Sequence, residues 1–149
     1  MIVSCSQYFF HKNIAVSSAY VIIELNRQSQ IMQQYKMINR WTFDNDDLFE
    51  LVRIGRKRGT CCRHSGTEQM TKVGEIQEIY NSRGEIITVQ ITAVRKCRFC
   101  DIDDTWAHTE GEGDLSLEYW RKVHIEFFNK YYPDFQETDW LELNEFMVI

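Results

Sequence analysis

Three carboxylates, Glu110, Glu112 and Asp114, alternate with Gly111 and Gly113 directly ahead of Ser116. Ser116 suits the start of a helix, because its hydroxyl accepts from the orphan N–H groups there. The loop thus brings carboxylates to the positive end of a helix. Two readings stay open: a solvated turn that complements the dipole, or one carboxylate held for acid–base work. A second dense stretch is Arg56-Lys57-Arg58-Gly59-Thr60-Cys61-Cys62-Arg63-His64, the most basic run in the chain. Arg56, Lys57, Arg58 and Arg63 suit phosphate contacts, and Trp41, Tyr80 or Trp106 would stack a base if exposed. Cys97-Arg98-Phe99-Cys100 has the spacing of half a zinc site, which Cys61, Cys62 and His64 would have to complete. A second knuckle is missing and the pair brackets a strand end. These cysteines are read as structural thiols, with no metal and no cofactor expected.

The elements that must position these residues follow from patterning. Trp41, Thr42 and Phe43 suit a short strand, and Asp44 or Asn45 can cap a helix carrying Leu48, Leu51 and Val52 inward. Gly55 sits where a helix C-cap glycine belongs. Val73, Ile76, Ile79 and Tyr80 read as a strand, Asn81-Ser82-Arg83-Gly84 as a turn, and Ile87 to Ala93 as an alternating return strand. Asp101 to His108 suits a short helix with Trp106 and Ala107 inward. The main helix follows Ser116, with Leu117, Trp120, Val123, Phe127 and Tyr131 on its apolar face, and Pro133 stops it. His124 in this helix reads as a packing or hydrogen-bonding histidine. Trp140 to Ile149 reads as a closing strand with Leu141, Leu143, Phe146 and Val148 as its apolar positions. Interleaved elements without βαβ regularity or a glycine-rich phosphate loop predict an α+β fold with a mostly antiparallel, barrel-like sheet.

At 149 residues with 44% hydrophobic content, the chain can bury one good core and is too short for two ordinary domains. The net charge of −5 hides an asymmetry: residues 1–100 carry 14 Lys/Arg against 9 Asp/Glu, residues 101–149 carry 3 against 13. Local field rather than net charge must therefore steer any anionic partner. No run of 18 apolar residues exists, so no membrane span is expected. Five cysteines, an odd number, fit reduced thiols, and a cytoplasmic protein is expected. Residues 1–38 lack a clear period and read as an N-terminal extension. Met32 and Met37 raise the possibility that a shorter chain is the functional unit.

Glu110-Gly111-Glu112-Gly113-Asp114, followed by Ser116-Leu117-Glu118-Tyr119-Trp120-Arg121 and His124, resembles the signature of ASCH domains. Trp41-Thr42-Phe43-Asp44, Leu51-Val52, Gly55-Arg56-Lys57 and Lys72-Val73-Gly74 match in order upstream. Several ordered motifs at compatible spacings are far harder to obtain by chance than one short pattern. The resemblance covers residues 39–149 and implies a β-barrel of the PUA-like superfamily with flanking helices. It also implies RNA or a nucleoside or nucleotide as the ligand. Small members resemble amidohydrolases that deacetylate N(4)-acetylcytidine; others are ribonucleases or non-catalytic RNA-binding modules. Carried over residue by residue, the Gly-x-Lys-x-x-Thr pattern falls on Gly55, Lys57 and Thr60, and the loop glutamate on Glu112. Family members often have Thr-Ala-Thr after the lysine, where this chain has Arg58, Gly59 and Thr60. The resemblance thus names Lys57, Thr60 and Glu112 as the catalytic set, with Arg56, Arg58, Arg63 and Ser116 as ligand contacts. In that set Thr60 attacks an amide carbonyl, and Lys57, its pKa lowered by Arg56, Arg58 and desolvation, is the base. Glu112 then shuttles the proton.

Overall fold

The computed structural model describes residues 24–27 and 39–149. Residues 24–27 form one helical turn, and the rest of the proposed leader lies outside the described residues. From Asn39 onward, five strands form one mixed sheet: β1 (Asn39–Trp41), β2 (Gly59–Arg63), β3 (Ile76–Tyr80), β4 (Ile86–Arg98) and β5 (Trp140–Val148). Their order is β1-β3-β4-β5-β2, and only the β1–β3 pairing is parallel. Three α-helices cover the sheet: α1 (Asp46–Arg53), α2 (Asp104–Glu110) and α3 (Leu117–Tyr131). A 3₁₀ turn, Phe99–Asp101, leads from β4 toward α2.

The β3–β4 hairpin forms where the sequence predicts it, with Ile79 opposite Ile87 and Gln77 opposite Val89. The return strand, however, continues to Arg98, because after a register shift between Ile91 and Ala93 it goes on pairing with β5. The shift changes which β4 side chains share a face. Before it, Ile91 stands beside Phe146; beyond it, Val94 stands beside Asn144 and Arg95 beside Leu143. Side chains alternate across a strand, so Phe146 and Asn144 take one face of β5 while Leu143 and Leu141 take the other.

Each face builds its own core. On the first, Phe49 and Val52 of α1 pack with Ile79, Ile87, Val89, Ile91 and Phe146, flanked by Trp41, Phe43 and Val94. On the second, Trp106 and Ala107 of α2 and Trp120 and Phe128 of α3 pack with Phe99, Ile102, Phe135, Leu141 and Leu143. Burying each large apolar side chain contributes about 1.5–3 kcal/mol. The face of α3 differs from the apolar stripe expected. Trp120, His124 and Phe128, each four residues apart, turn toward the sheet, while Phe127 and Tyr131 are exposed. The hydrophobic periodicity passed over this row because a histidine stands in its middle. Val148, one of the apolar positions of the closing strand, is also exposed. Val73 precedes β3 and is exposed as well.

Candidate functional site

Lys57 is placed by the way α1 ends. Asn45 caps the start of α1 by accepting from the Leu48 N–H, and Gly55, at φ 74°, closes its end. There the Gly55 N–H bonds to the Val52 carbonyl and the Arg56 N–H to the Leu51 carbonyl, the paired bonds of a Schellman stop. The Lys57 N–H also reaches Leu51 O at 3.0 Å, and Arg58 then bonds Thr109 O and accepts from Phe146 N–H, each at 2.9 Å. Three elements thereby fix the backbone beside Lys57. Gly59 follows because a Cβ there would meet Thr109 and Trp106 at 2.9 and 3.0 Å; it makes room for α2.

Glu110 ends α2, and Gly111 takes the chain out at φ 72°, where an added Cβ would collide with the Arg56 carbonyl. The acidic loop and the basic segment therefore meet backbone to backbone. Lys57 Nζ donates to Glu110 Oε2 at 2.5 Å and to Glu112 Oε1 at 2.6 Å, with a longer approach of 3.4 Å to the Glu110 carbonyl. Lys57 and Glu110 are both buried. Burial pushes the Lys57 pKa down, but the Glu110 and Glu112 charges outweigh it and hold the ammonium above its ordinary value of 10.5. Burial likewise pushes Glu110 up, while Lys57 and then His124 pull it below its ordinary 4.5. The expectation of a Lys57 pKa lowered by Arg56, Arg58 and desolvation is thereby corrected: burial does push it down, but the net direction is up. Both arginines are exposed, and the groups that touch Lys57 are carboxylates.

A cavity of about 640 Å³ opens onto this cluster. Lys57, Thr60 and Glu112 all line it, together with Trp41, Phe43, Gln77, Glu110, His124 and Asn144. Among the described residues the Thr60 hydroxyl makes no hydrogen bond and faces Asn144 across the β2–β5 ladder. Trp41 donates to Gln77 Oε1 at 2.8 Å and meets Phe43 edge-on, and the Lys57 ammonium lies 5.3 Å from the Phe43 ring centre. Asn144 donates to Glu142 Oε1 at 3.1 Å, an acceptor that fixes which end of the amide is nitrogen. Among the described residues its buried Oδ1 has no partner. Burying a polar atom without a hydrogen bond is costly, so this acceptor stands ready for a donor in the cavity.

The other four expected contacts are not in the cavity lining. Arg56 donates to the Gly113 carbonyl and ties the acidic loop down. Arg58 is exposed. Arg63 bonds Asp134 and Asp139, which compensate its charge. Ser116 accepts from the Tyr119 N–H, as a cap does, and its hydroxyl donates to Asp114 at 2.6 Å. Of the candidate stacking residues, Trp41 lines the cavity, whereas Trp106 is fully buried and donates its indole N–H to Glu110 Oε1 at 3.0 Å.

Three residues of this cavity, Glu110, His124 and Asn144, were not among the expected site residues, although His124 packs and hydrogen-bonds as expected. Glu110 was weighed with Glu112 and Asp114 as a loop carboxylate, but it ends α2 four residues after the inward Trp106 and so shares its face. His124 stands in the same relation to Trp120. Asn144 lies two residues before Phe146 on the same face of β5, a polar residue in a row of apolar ones.

The fold and site together define an α+β protein whose curled half-barrel sheet presents a buried lysine–glutamate cluster to a polar-and-aromatic cavity. The ASCH domain model matches residues 39–149, and the chain belongs to that family, with its PUA-like fold. An ASCH domain from Lactobacillus crispatus is 27% identical, with TM-score 0.67 over 87% of this chain and 92% of that one. A protein of known structure from Enterococcus faecalis is 23% identical, with TM-score 0.65 over 85% and 92%. No curated protein matches this chain.

Proposed function

We propose that the cavity binds the base of a modified nucleoside, free or within RNA, and that the chemistry performed there is amide hydrolysis of an acylated cytosine amine. The Asn144 Oδ1, without a partner among the described residues, and the Lys57 ammonium line the same cavity, and together they carry this reading. One accepts and the other donates, which complements a ligand edge offering an N–H next to a carbonyl, as pyrimidines and amides do. Trp41 and Phe43 supply aromatic surface for the ring, and the family's link to RNA supports the ligand class.

In this reading Lys57 is not the base. Held as a cation, it stabilises the oxyanion that develops on the acetyl oxygen. The Thr60 oxygen bonds to the acetyl carbon, Glu112 takes the hydroxyl proton, and the C–N bond breaks as Glu112 returns that proton to the leaving amine. Water then hydrolyses the acyl-threonine and releases acetate. The test is acetate release from N(4)-acetylcytidine. Thr60→Ala and Glu112→Gln are each expected to cut it by about 100-fold or more while the folded spectrum is retained. A wild-type chain that binds the nucleoside and releases no acetate would leave a non-catalytic reader. Cleavage of RNA that disappears with Glu112→Gln would instead mark a ribonuclease.

A further inference from the structure

The cavity wall holds a second set of side chains, and this inference does not rest on the nucleoside reading. Cys61, Glu110 and His124 each offer one ligand atom, and these atoms lie within 4.8 Å of one another. They come from three elements, β2, α2 and α3. We propose that Cys61 Sγ, Glu110 Oε1 and His124 Nε2 form a binding site for one borderline-soft divalent cation, zinc in type. Its fourth position would open to the cavity that all three residues line.

Histidine geometry carries the proposal furthest. His124 Nδ1 lies 2.9 Å from the Trp120 carbonyl oxygen, an acceptor, so Nδ1 bears the proton and donates it. In the neutral ring this leaves the Nε2 lone pair pointing at Glu110 Oε1, 3.7 Å away. Two acceptors that face each other need a cation or a proton between them. Metal-bound imidazoles are commonly oriented in this way, by a hydrogen bond from the other ring nitrogen to a carbonyl. Stacking on Trp120, with centroids 4.1 Å apart, holds the ring in place.

The carboxylate is suitably committed. Glu110 Oε2 is taken by Lys57, Oε1 accepts from Trp106 Nε1 at 3.0 Å with His124 Nε2 3.7 Å away, and the Cys61 thiol also hydrogen-bonds this carboxylate, as a ligand neighbour would. Tetrahedral zinc, with bonds near 2.0 Å to N or O and 2.3 Å to S, sets its ligand atoms roughly 3.3–3.8 Å apart. The nitrogen–oxygen pair already meets this, and the whole set needs about 1 Å of contraction. Charge agrees as well. With two glutamates, one ammonium and a neutral His124, a divalent ion bound to the Cys61 thiolate makes the cluster neutral, and the ion takes the place of the proton that would otherwise sit between His124 and Glu110. A thiolate, imidazole and carboxylate favour zinc over the hard cations magnesium and calcium.

The experiment is titration of the full chain, freed of metal by chelator, with cobalt(II) as a visible substitute for zinc. One equivalent should bind, with a thiolate-to-cobalt charge-transfer band in the near ultraviolet that zinc abolishes by displacement. Cys61→Ser should remove the band. His124→Gln should keep the band but weaken binding by about tenfold or more. A Cys97→Ser/Cys100→Ser chain should match the wild type. The proposal is overturned if the wild type takes up no cobalt. It is equally overturned if the band survives Cys61→Ser, or if it depends on Cys97 and Cys100. If His124→Gln binds as tightly as the wild type, the histidine is not a ligand and the assigned site is wrong.

Discussion

Lys57 is the residue on which both walls of the cavity depend. It is buried between Glu110 and Glu112, so its removal strands a carboxylate in the interior rather than merely deleting a contact. Breaking such a pair costs about 3–5 kcal/mol, and Lys57→Met should lose that much in denaturant unfolding. Replacement of Glu112, the more accessible partner, should cost less. The sign of the pH dependence follows from the same cluster. Glu110 is held below 4.5, so its contribution is complete above that value and fades as pH falls through the depressed pKa. Lys57 is held above 10.5, so its contribution is complete below that value and fades as pH rises through the raised pKa. Thermal melts across pH should show both limbs, and Glu110→Gln should flatten the acid one. At this scale the sequence disclosed Lys57, Thr60 and Glu112 through family spacing. It hid Glu110 and Asn144, because a buried polar residue betrays itself only through its apolar neighbours one period away.

Among the elements, β4 is the most informative, because it carries one extra residue, Thr92, at its register shift and packs on both cores. Losing Thr92 alone would keep Ala93 opposite Glu145 and Val94 opposite Asn144 in a regular ladder, but deleting Thr92 and Ala93 together would set Arg95 where Val94 now faces Asn144. We expect the double deletion to abolish cooperative unfolding in circular dichroism, whereas Thr92→Ala should stay within about 1 kcal/mol of the wild type. On α3, Phe128→Ala should cost about 3–5 kcal/mol, while exposed Phe127→Ala should cost much less. Urea midpoints of the two variants separate the observed helix face from the stripe the periodicity favoured. The hairpin, both helix caps and the closing strand were legible because turn residues, Asn45, Ser116 and alternation are local signals. The length of β4 was not, since its second half is stabilised by pairing with β5, more than 40 residues on in the sequence.

For the molecule as a whole, the α+β class and the ASCH resemblance were readable before any coordinates, through the ordered motifs rather than through composition. The layering of two cores about one sheet was not, because it depends on which face each strand presents. The charge asymmetry along the sequence also resolves differently in space. Arg56 and Arg63 are occupied by Gly113, Asp134 and Asp139, and the cavity is read here by hydrogen bonds more than by field. Binding of a free nucleoside should therefore change little between about 50 and 200 mM salt, unlike the steep loss expected for phosphate-dominated binding. The central claim is that Asn144 Oδ1 accepts from a nucleobase in this cavity. Its most direct test is calorimetric titration of N(4)-acetylcytidine into a Thr60→Ala chain, which cannot turn the ligand over, with and without Asn144→Leu. We predict one saturable site that weakens about tenfold or more when the Asn144 amide is lost. Equal affinity in the two chains, or no saturable binding in either, would contradict the account.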